Sequence, residues 1–464
     1  MGPRNIKRSI VGLAALLALP ITARAAPPEL APPPSTIVGG QPAQVCEWPQ
    51  VAALTLGGTC TATLIHPRVL VYAAHCGTLH DHAMLGEQTD APARTIDLLR
   101  CERASDVFAV SAMDFAFCEL REPLDELAIA PLLFGCDEAL IEVGTPVTIV
   151  GFGLDDQGGL GTKRVATTSI ASVLSLIGIG GMGTGADEGD SGGPALVQLD
   201  DGSWRLLGIV SGGGGGGGVV QYVPAPVTVG WIEDRSGIDV TPCHAADGSW
   251  APTPACAGFL VASEPNASWA ESCPSVLSGP SSRCGPAFAS EPIDASPPAI
   301  AIVEPASASE LAAAPVELDV AVEAGDRGWG VREVRLELDG SPWFDVWQRQ
   351  ARDEVPPYEF AGMAIEQDGE HAIVAIAEDW AGNFTSSAPV LVQVGDASES
   401  STESGDELGE DSSGSSDASG SSDDASAEGS ASACRCDARE SDPAWPAGLA
   451  LALLAIRRRR RATT

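Results

Sequence analysis

The chain predicts an all-β fold, and three features carry that prediction. Short apolar runs recur through the first half, as in "VAALTL", "LIHPRVLVY", "PVTIVGFG" and "LLGIVS". Glycine and proline, at 52 and 35 residues, punctuate them, the pattern of short strands joined by tight turns. Farther on, "VELDVAVEA", "VREVRLELDG" and "EHAIVAIAED" alternate with period two, as half-exposed strands do. A length of 464 residues calls for two or three domains.

Residues 1–25 have a basic start, an apolar stretch from Ile10 to about Ile21 and the sequence Ala23-Arg24-Ala25. That is the layout of a signal peptide cut after Ala25, with an apolar run too short for a stable span. Export makes the twelve cysteines disulfide candidates. Residues 26–36, "APPELAPPPST", cannot form a core and read as a pro-segment. Residues 37–236 hold the first series of apolar runs, a β-sandwich or barrel.

Residues 237–290 form a connector with Cys243, Cys256, Cys273 and Cys284 among Pro, Ser, Ala and Gly. Its small apolar content calls for two disulfides to order it. Residues 291–395 carry the alternating runs and read as a β-sandwich. Residues 396–433 are rich in Ser, Asp, Glu, Gly and Ala, with no Lys or Arg, the composition of a self-repelling linker. Residues 434–464 bring Cys434, Cys436, a short apolar run and the block Arg457–Arg461. The formal net charge of −37 argues against nucleic acid as a partner, because phosphate binding needs a basic surface.

The chemistry lies in the first β region. "AAHC" places His75 beside Cys76, "MDFAFCEL" holds Asp114, and "GDSGGP" puts Ser191 in a glycine-rich turn. A serine hydroxyl is a poor nucleophile at neutral pH and needs a base within hydrogen-bond reach, itself oriented by a carboxylate. Glycines around the serine let main-chain N–H groups face a developing oxyanion. Each signal is weak alone; His, Asp and Ser in that order in one all-β domain are strong together.

With "IVGG" at 37–40, "AAHC" at 73–76, "DFAF" at 114–117, "GFG" at 151–153 and "GDSGGP" at 189–194, residues 37–236 resemble a trypsin-like (chymotrypsin-fold) serine protease domain. "GIVS" at 208–211 and "GWI" at 230–232 fit it less exclusively. The resemblance implies a two-barrel fold and a serine endopeptidase that needs no cofactor or metal. It makes His75 the general base, Asp114 its orienter and Ser191 the nucleophile, with the oxyanion held by the N–H groups of Gly189 and Ser191. It implies a Cys60–Cys76 disulfide and an activation cleavage by another protease before Ile37, whose freed ammonium would pair with Asp190. The four remaining cysteines in this region admit three pairings; in the one expected here Cys101 with Cys118 would bridge strands flanking the Asp114 loop, and Cys46 would pair with Cys136.

Seven consecutive glycines, Gly212–Gly218, usually mean a linker, but strand-like residues flank them on both sides. By the resemblance they fall on the segment that pairs with the substrate main chain and walls the specificity pocket, with Ser211 and Gly213. The family's aromatic residue after that serine is Gly212 here. Its cysteine in this loop is absent, and the partner position holds Asp187, so the wall is expected to lack a staple. The pocket floor is Gly185, which cannot neutralise a buried cation, and Val220 would make the pocket shallow. A small or medium apolar P1 residue follows. "HDH" at 80–82 is a weak metal motif without a third ligand.

Residues 291–395 resemble bacterial Ig-like domains through "PPAIAIVEP", "VREVRLELDG" and "HAIVAIAEDWAGN". The tail resembles the C-terminal sorting tags of myxobacterial surface proteins. The expectation is an exported endopeptidase acting on proteins or peptides, extracellular or on the outer envelope, retained through sorting machinery or the membrane by its tail. The rival class is a surface adhesion protein with a catalytically silent protease-like domain.

Overall fold

The computed structural model describes residues 37–105, 110–154, 158–256, 266–271, 273, 284–285 and 294–395. The expected signal peptide, pro-segment, acidic linker and sorting tail lie outside the described residues. The described chain is all-β but for one α-helix and short 3-10 turns.

After a short strand β1 (Gln41–Pro42), six strands form a closed barrel: β2 (Val51–Leu54), β3 (Cys60–His66), β4 (Val69–Tyr72), β5 (His82–Leu85), β6 (Arg94–Arg103) and β7 (Ala116–Leu120), joined in the order β2-β3-β4-β7-β6-β5. The second barrel comprises β8 (Pro146–Gly151), β9 (Arg164–Val173), β10 (Ile177–Gly180), β11 (Pro194–Gln198), β12 (Trp204–Gly212) and β13 (Val219–Pro224). It closes because β9 pairs with both β8 and β10, and β11 with both β8 and β12.

Strands such as β2 and β4 read as unbroken apolar runs because both faces are buried. Ala52, Leu54, Leu70 and Tyr72 point into the first barrel. Their alternates Val51, Ala53, Val69 and Val71 pack with Phe115, Phe152, Leu196 and Ile209 in the cluster joining the barrels. The second barrel has its own interior, with Ile37, Ile149, Ile177, Ile179, Val220 and Tyr222. The domain ends in α1 (Val229–Ser236), closed by Gly237 at φ 64°, a left-handed stop that glycine adopts freely.

The disulfides correct two expectations. Cys60–Cys76 and Cys101–Cys118 form, but Cys46 pairs with Cys273 and Cys136 with Cys284, not with each other. Only Cys243–Cys256 lies within the connector. A segment with so little apolar mass is held by the barrels beside it. Its Trp269 indole donates to Glu87 at 2.9 Å and covers the buried Lys163, whose Nζ donates to the Trp48 carbonyl at 3.0 Å and lies 5.9 Å from the Trp269 ring. Burial pushes that lysine down to about 8, against the pull of Glu87.

Residues 299–394 form a β-sandwich of two sheets around a separate core that includes Val320, Val334, Phe360, Ile373 and Val392. One sheet holds β14 (Ala299–Glu304), β16 (Val316–Gly325) and β20 (Tyr358–Ile365). The other is built on β15 (Ser309–Leu311), β17 (Val331–Leu338), β18 (Ser341–Pro342), β21 (Gly369–Asp379) and β23 (Val390–Val394), with β19 (Arg352–Asp353) and β22 (Phe384–Ser386) at its margins. In "EDWAGN", Asp379 accepts the N–H groups of Ala381 and Asn383, both at 2.8 Å, which shapes the turn. The sandwich docks on the first barrel. Glu119, with a fully buried side chain, receives Arg68 at 3.2 Å and Arg100 at 2.9 Å from the barrel, and Arg349 from the sandwich.

Candidate active site

The site lies where the barrels meet. His75 sits in the 3-10 turn Ala74–Cys76 that follows β4. Asp114 precedes β7, which pairs with β4, so strand register brings the two together. Asp114 is fully buried and holds His75 twice: Oδ2 lies 2.8 Å from Nδ1, and Oδ1 accepts the His75 main-chain N–H at 3.0 Å. The His75 side chain is 27% exposed, so the ring is open on its other edge.

Ser191 comes from the second barrel, in the turn before β11. Its carbonyl accepts the Thr61 N–H at 2.8 Å, which ties the turn to β3 of the first barrel. Thr61 Oγ1 then donates to the Gly189 carbonyl at 3.0 Å and accepts the Phe152 N–H at 3.2 Å. The glycines of "GDSGGP" are required by space. A Cβ on Gly192 would come within 2.3 Å of the Thr61 carbonyl oxygen, and one on Gly193 within 2.8 Å of two carbonyl oxygens. Among the described residues, no acceptor takes the N–H of Gly189 or of Ser191.

Asp190 is buried and accepts N–H groups from Gly153 at 2.7 Å and Asp187 at 2.9 Å. Burial pushes its carboxyl up to about 7, against those two hydrogen bonds. Ile37 is 1% exposed in the second barrel's core, and Val38 bridges Gly185, whose N–H donates to the Val38 carbonyl at 3.0 Å.

The glycine run is the loop of the β12–β13 hairpin, inside the domain. Gly185 packs against it: a Cβ there would lie 2.6 Å from the Gly218 carbonyl oxygen. Val220 is 2% exposed and fills the barrel core beside Ile179 and Tyr222. A Cβ added to Gly213 would make ordinary contact with Gln221 and the Val219 carbonyl, the nearest atom at 3.7 Å. Ser211, expected along the pocket wall, turns its hydroxyl to Asp114 and donates to Oδ2 at 2.6 Å. Sequence reasoning missed this and the Thr61 bridge, since both residues look like ordinary strand positions. Of the "HDH" motif, His80 is buried with Nε2 3.1 Å from the Cys76 carbonyl, and His82 pairs with Asp81.

This part of the chain is similar to known proteins. Residues 37–232 match the Trypsin family model. Over 243 residues the chain is 26% identical to the suppressor of tumorigenicity 14 protein homolog of Bos taurus, a stretch covering 44% of this chain and 28% of the relative. The chain thus spans well under a third of that relative's length. The family match covers the stretch in which the two closed barrels lie, so residues 37–232 form a Trypsin domain.

Proposed function

We propose that this protein is an exported serine endopeptidase that cleaves peptide bonds through an acyl-enzyme. The observation that supports it best is Asp114, a buried carboxylate gripping His75 by ring and main chain beside the Ser191 turn. A carboxylate there favours the tautomer with Nδ1–H toward Asp114 and leaves Nε2 as the base. Ser191 Oγ attacks the scissile carbonyl carbon and its proton passes to His75. The carbonyl electron pair moves to oxygen, where the Gly189 and Ser191 N–H groups receive the charge. Collapse breaks the C–N bond, and the amine leaves with the proton held by His75. Water repeats the sequence on the ester and frees the enzyme. Ser211 donates to the same Asp114 oxygen that meets His75 Nδ1 and helps hold the carboxylate in place.

The substrate is a peptide or protein cut after a small or medium apolar residue, since Gly185 brings no carboxylate to the floor; Val220, turned into the barrel core, does not narrow the pocket as the sequence suggests. Cleavage by another protease between Thr36 and Ile37 would free an ammonium for Asp190, a buried acid that is costly to ionise unpaired. The β-sandwich reads as an Ig-like spacer without a ligand. Five disulfides fit an oxidising, extracellular setting. Among the described residues no helix is long and apolar enough to cross a membrane. Surface retention is assigned to the tail, so deleting residues 446–464 should release the protein to the medium; unchanged cell association would refute that assignment.

Ser191→Ala and His75→Ala test the central reading. Each should lower casein hydrolysis by several orders of magnitude with the melting temperature unchanged, because the three residues act as a unit. Hydrolysis by Ser191→Ala at the parent rate would exclude the mechanism.

A further inference from the structure

We propose that Asp187 is a positioning residue whose carboxylate clamps the glycine loop onto the nucleophile turn, in place of a covalent staple. This rests on the serine endopeptidase reading. The sequence leads one to expect an unfastened loop, because no cysteine lies in it. The geometry differs. Asp187 Oδ2 accepts the Gly216 N–H at 2.9 Å, while Oδ1 accepts the Glu188 N–H at 2.8 Å. The Asp187 main chain is itself anchored: its N–H donates to Asp190 Oδ2 at 2.9 Å, and its carbonyl accepts the Asp190 N–H at 3.0 Å. One residue thus joins the tip of the β12–β13 hairpin to the residue that precedes Ser191.

The loop's sequence fits the clamp. Gly216 and Gly217, at φ 74° and 78°, are in the left-handed region where a side chain is strained. A Cβ on Gly215 would sit 2.8 Å from Asp187 Oδ1, so any larger residue would push the carboxylate off Gly216. A second bond, Gly183 N–H to the Gly217 carbonyl at 3.1 Å, holds the other side of the tip. Seven glycines are costly to order, and an N–H held by an ionised carboxylate is among the stronger hydrogen bonds available to offset that cost.

The consequence concerns extended substrates. A peptide that adds a strand along Ser211–Gly213 uses main-chain groups of this hairpin. If the loop is fixed beforehand, binding need not order it. Removing the clamp should therefore act on binding of long substrates more than on the chemical step.

The test compares the full activated chain with Asp187→Ala and Asp187→Asn on tetrapeptide and single-residue p-nitroanilides, and measures amide exchange across residues 212–218. Asp187→Ala should raise KM for the tetrapeptide about tenfold with kcat within about twofold, and leave the single-residue substrate nearly unaffected. Asp187→Asn keeps an acceptor oxygen and should restore most of the lost affinity. Exchange in the glycine loop should speed up in Asp187→Ala alone. An unchanged tetrapeptide KM with unchanged exchange would overturn the clamp, as would equal loss in both variants. If no form hydrolyses any substrate but exchange still rises in Asp187→Ala, the clamp stands and the endopeptidase reading falls.

Discussion

Glu354→Gln should stabilise the protein at pH 8 and leave it unchanged at pH 4. Glu354 sits where the sandwich meets the end of the protease domain. Its N–H donates to the Gly237 carbonyl at 2.9 Å, and its Oε2 accepts the Asp239 N–H at 3.4 Å. Burial pushes its carboxyl from 4.5 to about 7; Arg68 pulls it down, while Asp239 and Glu333 push it up. Glu233, Asp239 and Asp353, crowded at the same junction, are also raised, in each case mainly by burial. An acid raised on folding holds its proton more tightly in the native state. Its penalty is absent below the unfolded pKa, grows as pH rises from 4.5, and is complete above about 7. A rise of that size corresponds to about 3 kcal/mol at most. Glutamine removes the charge and keeps an oxygen for the Asp239 N–H, but forfeits the attraction to Arg68. The net gain at pH 8 should be about 1–2 kcal/mol, or roughly 1–3 °C in Tm for a protein of this size. Calorimetry on a Ser191→Ala background, where self-cleavage is removed, measures it at pH 4 and pH 8. An equal shift at both pH values, or a lower Tm at pH 8, would show that the charge at this junction is not what costs stability.

Three further outcomes are expected. N-terminal sequencing of active enzyme should begin at Ile37, and trypsin should fail to activate the chain because Thr36 precedes the bond; full activity with residues 26–36 attached would refute the ammonium–Asp190 pair. A p-nitroanilide series should favour Ala, Val or Leu at P1 over Lys and Arg, and Gly213→Val, at φ 106°, should shift preference to smaller residues; a strong Lys or Arg preference would mean that a carboxylate reaches the pocket. Breaking Cys46–Cys273 by a double serine substitution should cost about 2–5 kcal/mol in urea unfolding, because that link closes a loop of 227 residues and seats Trp269 over Lys163; an unchanged midpoint would show that packing alone holds the connector.

Local chemistry was legible in the sequence, and long-range pairing was not. His75, Asp114 and Ser191 each sit in a motif whose residue types follow from the chemistry, and the structure joins the first two at 2.8 Å. The glycine run could be placed inside the domain because strands flank it. The cysteine pairings failed where partners lie far apart: Cys46 and Cys136 were assigned within the barrels, yet their partners at 273 and 284 belong to a segment too poor in apolar residues to stand alone. The bond from the Ser211 hydroxyl to Asp114 is not legible, since strand alternation does not tell which polar group a hydroxyl will find. The sequence marks Asp187 as the position where the family's cysteine is missing; its bond to Gly216 depends on loop conformations that no periodicity encodes. The docking of the sandwich through Arg349 and Glu119 was equally invisible, because a lone buried glutamate in "AFCEL" reads as an exposed strand position.

The central claim, that Ser191 is an activated nucleophile, is tested most directly by labelling the full chain with a biotinylated peptidyl phosphonate bearing an apolar P1 group. Peptide mapping should find one adduct, on Ser191, that forms at the rate of activity loss and does not form in His75→Ala. A chain that folds and begins at Ile37 yet takes up no phosphonate at Ser191 would contradict the account and leave the domain a silent scaffold.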